Sequence, residues 1–144
     1  MAHTILAIDD TKRILDITRY CLENEGYTVR AASDGETGVK LAAQGGIDLI
    51  LLDIMMPGMD GYQVCERLKK EPKTKDLPII MLTAKAIIMH TPKDFFYGLY
   101  GFLAKPFSKD QLLKVVEDTL RITKSPPDNR FIAPLDTPQE EITP

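Results

Sequence analysis

Long apolar runs and targeting signals are missing from this sequence. No apolar stretch approaches the ~18 residues that a membrane-spanning helix needs. The amino terminus, Met1 to Leu6, has neither the basic region nor the long apolar segment of a signal peptide. We therefore expect a cytoplasmic protein with no membrane partner.

Cysteine and surplus basic charge are also scarce. The two cysteines, Cys21 and Cys65, both fall inside helical patterns, which predicts buried thiols rather than a disulfide or a metal site. Eighteen basic residues stand against 21 acidic ones, a net charge of −3, so the basic footprint of a nucleic-acid binder is lacking. We expect no nucleic-acid partner.

The composition that remains suits one domain and a tail. The chain has 144 residues, 44% of them hydrophobic and 27% charged, which is enough for a single globular core. The pattern of strands and helices stops after Lys124. Residues 125–144 contain five of the ten prolines. They also carry four acidic residues against one basic residue, Arg130, so this segment accounts for the whole net charge of −3. The sequence predicts an ordered domain over 1–124 and a disordered tail over 125–144.

One stretch organises the domain. Four consecutive apolar residues, Leu49 to Leu52, end in Asp53, and a turn with Pro57 and Gly58 follows. A short unbroken apolar run is typical of a strand buried on both faces of a parallel sheet. Asp53 would then lie at the carboxyl end of that strand, where open α/β sheets place their ligands. Taken alone, an aspartate there is more simply a structural cap.

Further strands alternate with helical patterns along the chain. The strands are predicted over Thr4–Ile8, Tyr27–Ala32, Leu77–Thr83 and Tyr100–Lys105. This alternation predicts a doubly wound α/β sheet with right-handed crossovers.

The helices carry their own signals. The spacing after Thr11 predicts one buried face made of Ile14, Ile17, Thr18, Cys21 and Leu22. Asp60 with Gln63, and Ser108 with Gln111, have the spacing of reciprocal caps that open two later helices.

Reactive side chains follow four of the predicted strands. Asp9 with Asp10, Asp53, Thr83 and Lys105 each stand at a carboxyl end, and those ends share one edge of a parallel sheet. Three carboxylates repel one another unless a cation joins them, and Mg²⁺ accepts such oxygen ligands. A carboxylate can attack phosphorus, while lysine binds a phosphoryl oxygen as a point charge. The set suits in-line phosphoryl transfer.

These residues resemble the receiver domain of two-component response regulators, in particular single-domain chemotaxis regulators. The resemblance runs from about Thr4 to Thr123. It rests on Asp9-Asp10, on Asp53 with Met56-Pro57-Gly58-Met59-Asp60-Gly61, on Leu82-Thr83-Ala84 and on Lys105-Pro106-Phe107. It implies a flavodoxin-like fold, a five-stranded parallel sheet of order 2-1-3-4-5 covered by five helices.

The resemblance also implies roles for single residues. Asp53 becomes the phosphoacceptor. Asp9, Asp53 and the main-chain carbonyl of Met55 become direct Mg²⁺ ligands, and Asp10 binds the ion through water.

Other implied roles concern the switch and its partners. Thr83 and Lys105 would contact the phosphoryl group, and the Lys105–Pro106 peptide would be cis. Thr83 would move inward and Phe102 would change rotamer on phosphorylation. The phosphate would come from a histidine kinase or a phosphotransfer protein, and the output would be contact with a downstream protein.

The segment before the last strand departs from the family pattern. Thr91 as N-cap and Pro92 as first helical residue predict a short fourth helix that starts late, after a loop over 84–90. Residues 87–100 also carry more apolar surface than one short helix buries. This surplus predicts a face for a partner or a second copy around helix 4, strand 5 and helix 5. Met55 and Lys85 occupy the family positions that tune hydrolysis, and we expect slow self-dephosphorylation.

Three functions remain open on the sequence alone. The first is a stand-alone phosphorylation switch, not an enzyme in the ordinary sense although it assists its own phosphorylation and dephosphorylation, with no output domain after it. The second is a receiver-like interaction module that works without phosphorylation. The third, an aspartate-nucleophile phosphatase, would want a general acid two residues after Asp53, where Met55 stands.

Overall fold

Strands and helices alternate along the chain in this computed structural model, which describes residues 2–90 and 99–123. The strands are β1 Thr4–Ile8, β2 Thr28–Ala32, β3 Leu49–Leu52, β4 Ile79–Ala84 and β5 Gly101–Lys105. The helices within the described residues are α1 Lys12–Glu23, α2 Gly35–Ala43, α3 Gly61–Lys70, α4 Lys85–His90 and α5 Lys109–Ile122. The predicted tail over 125–144 lies outside the described residues.

The five strands form one parallel sheet in the order β2-β1-β3-β4-β5, which confirms the flavodoxin-like prediction. All four residues of β3 are buried, because helices cover both faces of the central strand. Side chains of α2, α3 and α4 pack on one face of the sheet, and those of α1 and α5 pack on the other. None of the described helices is long and apolar enough to cross a membrane.

The predicted helix caps are present. Asp60 and Gln63 bond reciprocally at the start of α3, and Ser108 and Gln111 do the same at the start of α5. Each pair satisfies main-chain N–H groups that the first turn of a helix leaves without a partner. The first residue of α3 is therefore held firmly, close to the end of β3.

The buried face of α1 differs from the prediction. Leu15 is buried with Thr18, Cys21 and Leu22, while Ile17 is 42% exposed. The sequence offers two overlapping apolar stripes, because Ile14 is followed by Leu15 and Ile17 by Thr18. The structure buries Leu15 rather than Ile17 and keeps the predicted Thr18, Cys21 and Leu22 on the buried face.

The predicted loop over 84–90 is wrong. Strand β4 continues through Ala84, and α4 begins at Lys85 with no residue between them. Ile88 is only 2% exposed and packs in the core with Phe102, while Ile87 packs partly against the same cluster. Two apolar residues inside the predicted loop, Ile87 and Ile88, are therefore core contacts of a helix. A helix start at Pro92 lies outside the described residues.

Both cysteines are buried and free, as predicted. Burial raises the pKa of the Cys65 thiol to about 11. Since the thiolate is the nucleophile, roughly one thiol in a thousand would be reactive at pH 8. We expect Cys65 to resist iodoacetamide in the native protein and to react rapidly in urea, which peptide mass spectrometry would measure. Labelling of Cys65 at equal rates in both conditions would contradict this prediction.

Candidate functional site

Two buried carboxylates lie side by side at the carboxyl-terminal edge of the sheet. The register of β1 and β3 sets Ile8 beside Leu52, so Asp9 and Asp53 leave neighbouring strands together. The Asp53 N–H donates to the Ile8 carbonyl at 3.0 Å, which continues the ladder past the last paired residues. Asp9 is 3% exposed and Asp53 is 5% exposed. Their main chains are thus fixed by the sheet while their side chains meet at its edge.

Lys105 joins the two carboxylates. Its Nζ lies 2.6 Å from Asp9 Oδ2 and 3.4 Å from Asp53 Oδ2. Lys105 is the last residue of β5. The register of β5 with β4 sets Lys105 beside Ala84 and Ala104 beside Thr83, so the lysine lies at the same edge of the sheet as Thr83. The ammonium balances part of the negative charge that Asp9 and Asp53 bring into a mostly dry site.

Asp10 completes an acidic cluster with Asp9 and Asp53. Asp10 is exposed, and carboxylate oxygens of the three residues all lie within 4.8 Å of one another. Asp9 also accepts a hydrogen bond from the Thr11 N–H at 2.9 Å, which orients its carboxylate. A donor set made only of oxygens, partly open to solvent, fits a small hard cation such as Mg²⁺.

Asp53 differs electrostatically from an ordinary surface aspartate. Burial raises the pKa of its carboxyl, and this effect outweighs the Lys105 charge, which lowers the pKa. The nearby Asp9 charge raises the pKa further, while hydrogen bonds from Lys105 and from the buried Thr83 hydroxyl lower it. The net direction is upward, so the ionised form of Asp53 is held at a cost in folding free energy.

This raised pKa predicts a pH dependence of stability. Between the ordinary pKa of 3.8 and the raised folded value, the folded state binds more protons than the unfolded state at Asp53. The contribution of Asp53 to stability therefore falls as the pH rises through the folded pKa. We expect the urea midpoint of Asp53→Asn, in EDTA, to exceed that of the wild type by a margin that grows from pH 4 to pH 7. A margin independent of pH would show that burial does not raise the pKa of this carboxyl.

The remaining predicted positions lie on or just after β5 and just after β3. The Lys105–Pro106 peptide is cis, as the resemblance implied. Phe102 is buried on β5, in register with Met81 of β4. The Met55 side chain is 61% exposed, two residues beyond Asp53. The structure thus brings Asp9, Asp10, Asp53, Thr83 and Lys105 to one edge, with Met55 following Asp53 in the chain.

Sequence reasoning assigned no role to two residues near the carboxylates, Thr11 and Gly61. Thr11 contributes a main-chain N–H to Asp9, which no side-chain pattern could have indicated. Gly61 begins α3 against the main chain of Asp53. The signal that could have found it is a glycine directly after a predicted N-cap, where a helix starts close to another segment.

The family follows from comparison with known proteins. A model of the response regulator receiver domain matches residues 5–117. The chain belongs to this family. Receiver domains are signalling modules of two-component systems rather than classical enzymes, they interact with histidine kinases and downstream effectors, and they bind Mg²⁺ in the acidic pocket.

Individual relatives agree with this membership. The chain is 43% identical over 119 residues to the DNA-binding dual master transcriptional regulator RpaA of Synechocystis, covering 83% of this chain and 49% of that protein. The chain therefore spans about half the length of this curated relative. It is 30% identical to the chemotaxis protein CheY4 of Vibrio cholerae, with a TM-score of 0.74 over 83% of this chain and 99% of that one.

A third relative bears on the acidic cluster. The receiver domain of the sensor histidine kinase PA1611 from Pseudomonas aeruginosa is 27% identical, with a TM-score of 0.76 over 84% of this chain and 99% of that one. That structure has a magnesium ion coordinated in its active-site cleft.

Proposed function

We propose that this chain is a phosphorylation-dependent signalling switch. Asp53 accepts a phosphoryl group from a histidine kinase or a phosphotransfer protein, and the phosphorylated domain signals by contact with a downstream protein. The observation that carries this proposal is the convergence of three carboxylates and Lys105, whose Nζ lies 2.6 Å from Asp9 and 3.4 Å from Asp53. Asp53 is buried, and its N–H donates to the Ile8 carbonyl, so the sheet fixes the main chain that carries this carboxylate.

The transfer exchanges one bond for another. A carboxylate oxygen of Asp53 attacks phosphorus, and the phosphorus–nitrogen bond of the donor phosphohistidine breaks as the imidazole leaves. The attacking carboxylate and the phosphoryl group both carry negative charge, so the step depends on charge neutralisation and alignment more than on proton transfer. Lys105 and the Thr83 hydroxyl then bind oxygens of the phosphoryl group on Asp53.

The metal belongs to the same cluster. Asp9, Asp53 and the Met55 carbonyl would hold Mg²⁺ directly, and Asp10 would hold it through water. When bound, the ion neutralises charge on the carboxylates and on the incoming phosphoryl oxygens. The mutual approach of the three carboxylates supports this assignment, because it is unfavourable without a cation.

The switch itself lies at β4 and β5. Inward movement of Thr83 toward the phosphoryl group, with a rotamer change of Phe102, would alter the surface of α4, β5 and α5. That surface is the proposed face for a downstream protein or a second copy. The exposed Met55 and Lys85 side chains would screen the acyl phosphate from water and slow its hydrolysis.

We place the switch in the cytoplasm and its output in protein contact. The absence of a nucleic-acid partner stays a prediction, because the Synechocystis relative is named as DNA-binding and is about twice as long.

The proposal is tested by a phosphoryl mimic. The protein is mixed with Mg²⁺ and beryllofluoride, and amide shifts are recorded by NMR beside Asp53→Asn and Asp48→Asn. Asp48 precedes the same strand at its opposite end, where it accepts a hydrogen bond from the Thr4 N–H. We expect shifts around Asp53, Thr83 and Phe102 in the wild type and in Asp48→Asn but not in Asp53→Asn. A folded wild type that does not respond would favour the module that works without phosphorylation.

A further inference from the structure

Helix α3 begins directly against the peptide that follows Asp53. The Gly61 N–H donates to the Ile54 carbonyl at 2.8 Å. A Cβ at position 61 would lie 2.4 Å from the main-chain oxygen of Asp53, 2.6 Å from Ile54 Cα and 3.1 Å from the carbonyl carbon of Asp53. Only the missing side chain allows this approach.

A side chain at position 61 would collide with main-chain atoms. Main-chain atoms of a sheet-bound residue do not rotate away, so a side chain at 61 must displace the Asp53–Ile54 peptide or the start of α3. Gly38 is different, because a Cβ there would meet the side chain of Ile8.

The need for glycine at 61 is also not conformational. Gly58, in the same β3–α3 loop, has a φ of 76°, and a Cβ added there would have no atom within 4 Å, so its need is conformational alone. Gly61 is not among the described glycines with positive φ. An alanine at position 58 therefore strains the loop main chain alone, whereas an alanine at position 61 would contact the main chain of Asp53.

We propose that Gly61 is a positioning residue for Asp53, an inference that rests on the proposed function. The capping box of Asp60 and Gln63 fixes the first turn of α3. Gly61 then sets the peptide after Asp53, and with it the direction in which the carboxylate leaves the strand. A displacement near 1 Å costs on the order of a hundredfold in a reaction that depends on alignment.

The first experiment compares Gly61→Ala with Gly58→Ala. Mg²⁺ affinity is measured by calorimetry, and unfolding free energy is measured in urea with EDTA. We expect Gly61→Ala to weaken Mg²⁺ binding at least about tenfold relative to Gly58→Ala, since metal ligands tolerate little misplacement. A folded Gly61→Ala protein that binds Mg²⁺ within about twofold of the wild type would overturn the proposal.

A second pair of variants decides the matter if Gly61→Ala does not fold. Asp60→Ala removes the N-cap of α3, and Asp34→Ala removes the N-cap of α2, whose side chain accepts from the Thr37 N–H. Both changes remove one negative charge and one cap. We expect Asp60→Ala to weaken Mg²⁺ binding several-fold more than Asp34→Ala, and equal effects would overturn the proposal.

A metal-free readout separates this inference from the proposed function. The ¹³C shift of the Asp53 carboxyl and the amide shifts of Asp53 and Ile54 are recorded in EDTA. Changes at Asp53 in Gly61→Ala or Asp60→Ala, but not in their controls, would support positioning even if the wild type bound no Mg²⁺. An unchanged Asp53 in both variants would overturn the inference and leave the proposed function standing.

Discussion

Replacement of Lys105 by methionine is expected to lower the unfolding free energy of the metal-free protein by about 2–4 kcal/mol. The ammonium lies between Asp9 and Asp53, and the Lys105 side chain is only 19% exposed. Without it, two buried carboxylates face each other with no compensating charge. Protonation of Asp53, whose pKa burial already raises, would limit the loss. Urea unfolding in EDTA at pH 7 measures the effect.

The same variant should respond strongly to magnesium. A divalent cation would replace the missing charge, so we expect Mg²⁺ to recover a large part of the lost stability and to stabilise the variant more than the wild type. Lys114→Met is the matched control, because Lys114 pairs with Asp118 at the exposed surface of α5 and should cost less than about 1 kcal/mol. Equal losses in the two variants would contradict a special role of Lys105 in balancing the site.

The second large effect is a gain in stability. Among the described residues, the hydroxyls of Thr18 on α1 and Thr119 on α5 are buried without a hydrogen-bond partner. Valine has nearly the same shape and no hydroxyl to desolvate. We expect Thr18→Val and Thr119→Val each to raise the unfolding free energy by about 1 kcal/mol, and the double variant by about 2 kcal/mol.

Thr74 provides the control with the opposite sign. It is equally buried, but its hydroxyl donates to the Leu68 carbonyl at 2.7 Å and closes the end of α3. Thr74→Val should therefore lower the unfolding free energy by about 1 kcal/mol. Urea unfolding of the three single variants tests the set, and a loss of stability in Thr18→Val or Thr119→Val would show that those hydroxyls have partners after all.

The cluster of Asp9, Asp53 and Lys105 could be predicted from the sequence because the ends of buried strands are recognisable there. Asp9, Asp53 and Lys105 each close an apolar run, and a parallel sheet brings such ends to one edge whatever the loops between them do. The contact between Asp9 and Lys105 joins residues 96 positions apart, so its distance and its ammonium bridge became visible only in the structure. The two capping boxes were equally readable, because their bonds lie within four residues.

The wrong predictions concern positions where the sequence allows two arrangements and only tertiary packing selects one. The spacing in α1 allowed two apolar stripes, and only contact with the sheet selects Leu15 over Ile17. At α4, Pro92 suggested a helix start, whereas burial of Ile88 fixes a helix from Lys85. The close approach of Gly61 to the Asp53 main chain could not be predicted for the same reason, because the absence of a side chain matters only next to the atoms that would meet it.

The direct join of β4 to α4 has a mechanical consequence. Thr83 is the last residue but one of its strand, and the first helical residue, Lys85, follows Ala84 without a flexible linker. In the proposed switch, a shift of Thr83 cannot be absorbed between the two elements, so the first turn of α4 moves with it. Ile88, one turn along, packs in the same core cluster as Phe102 and would transmit the shift to it. Amides near Asp53 and amides of α4 would then exchange between the two states of the switch at one common rate, because the two regions move together.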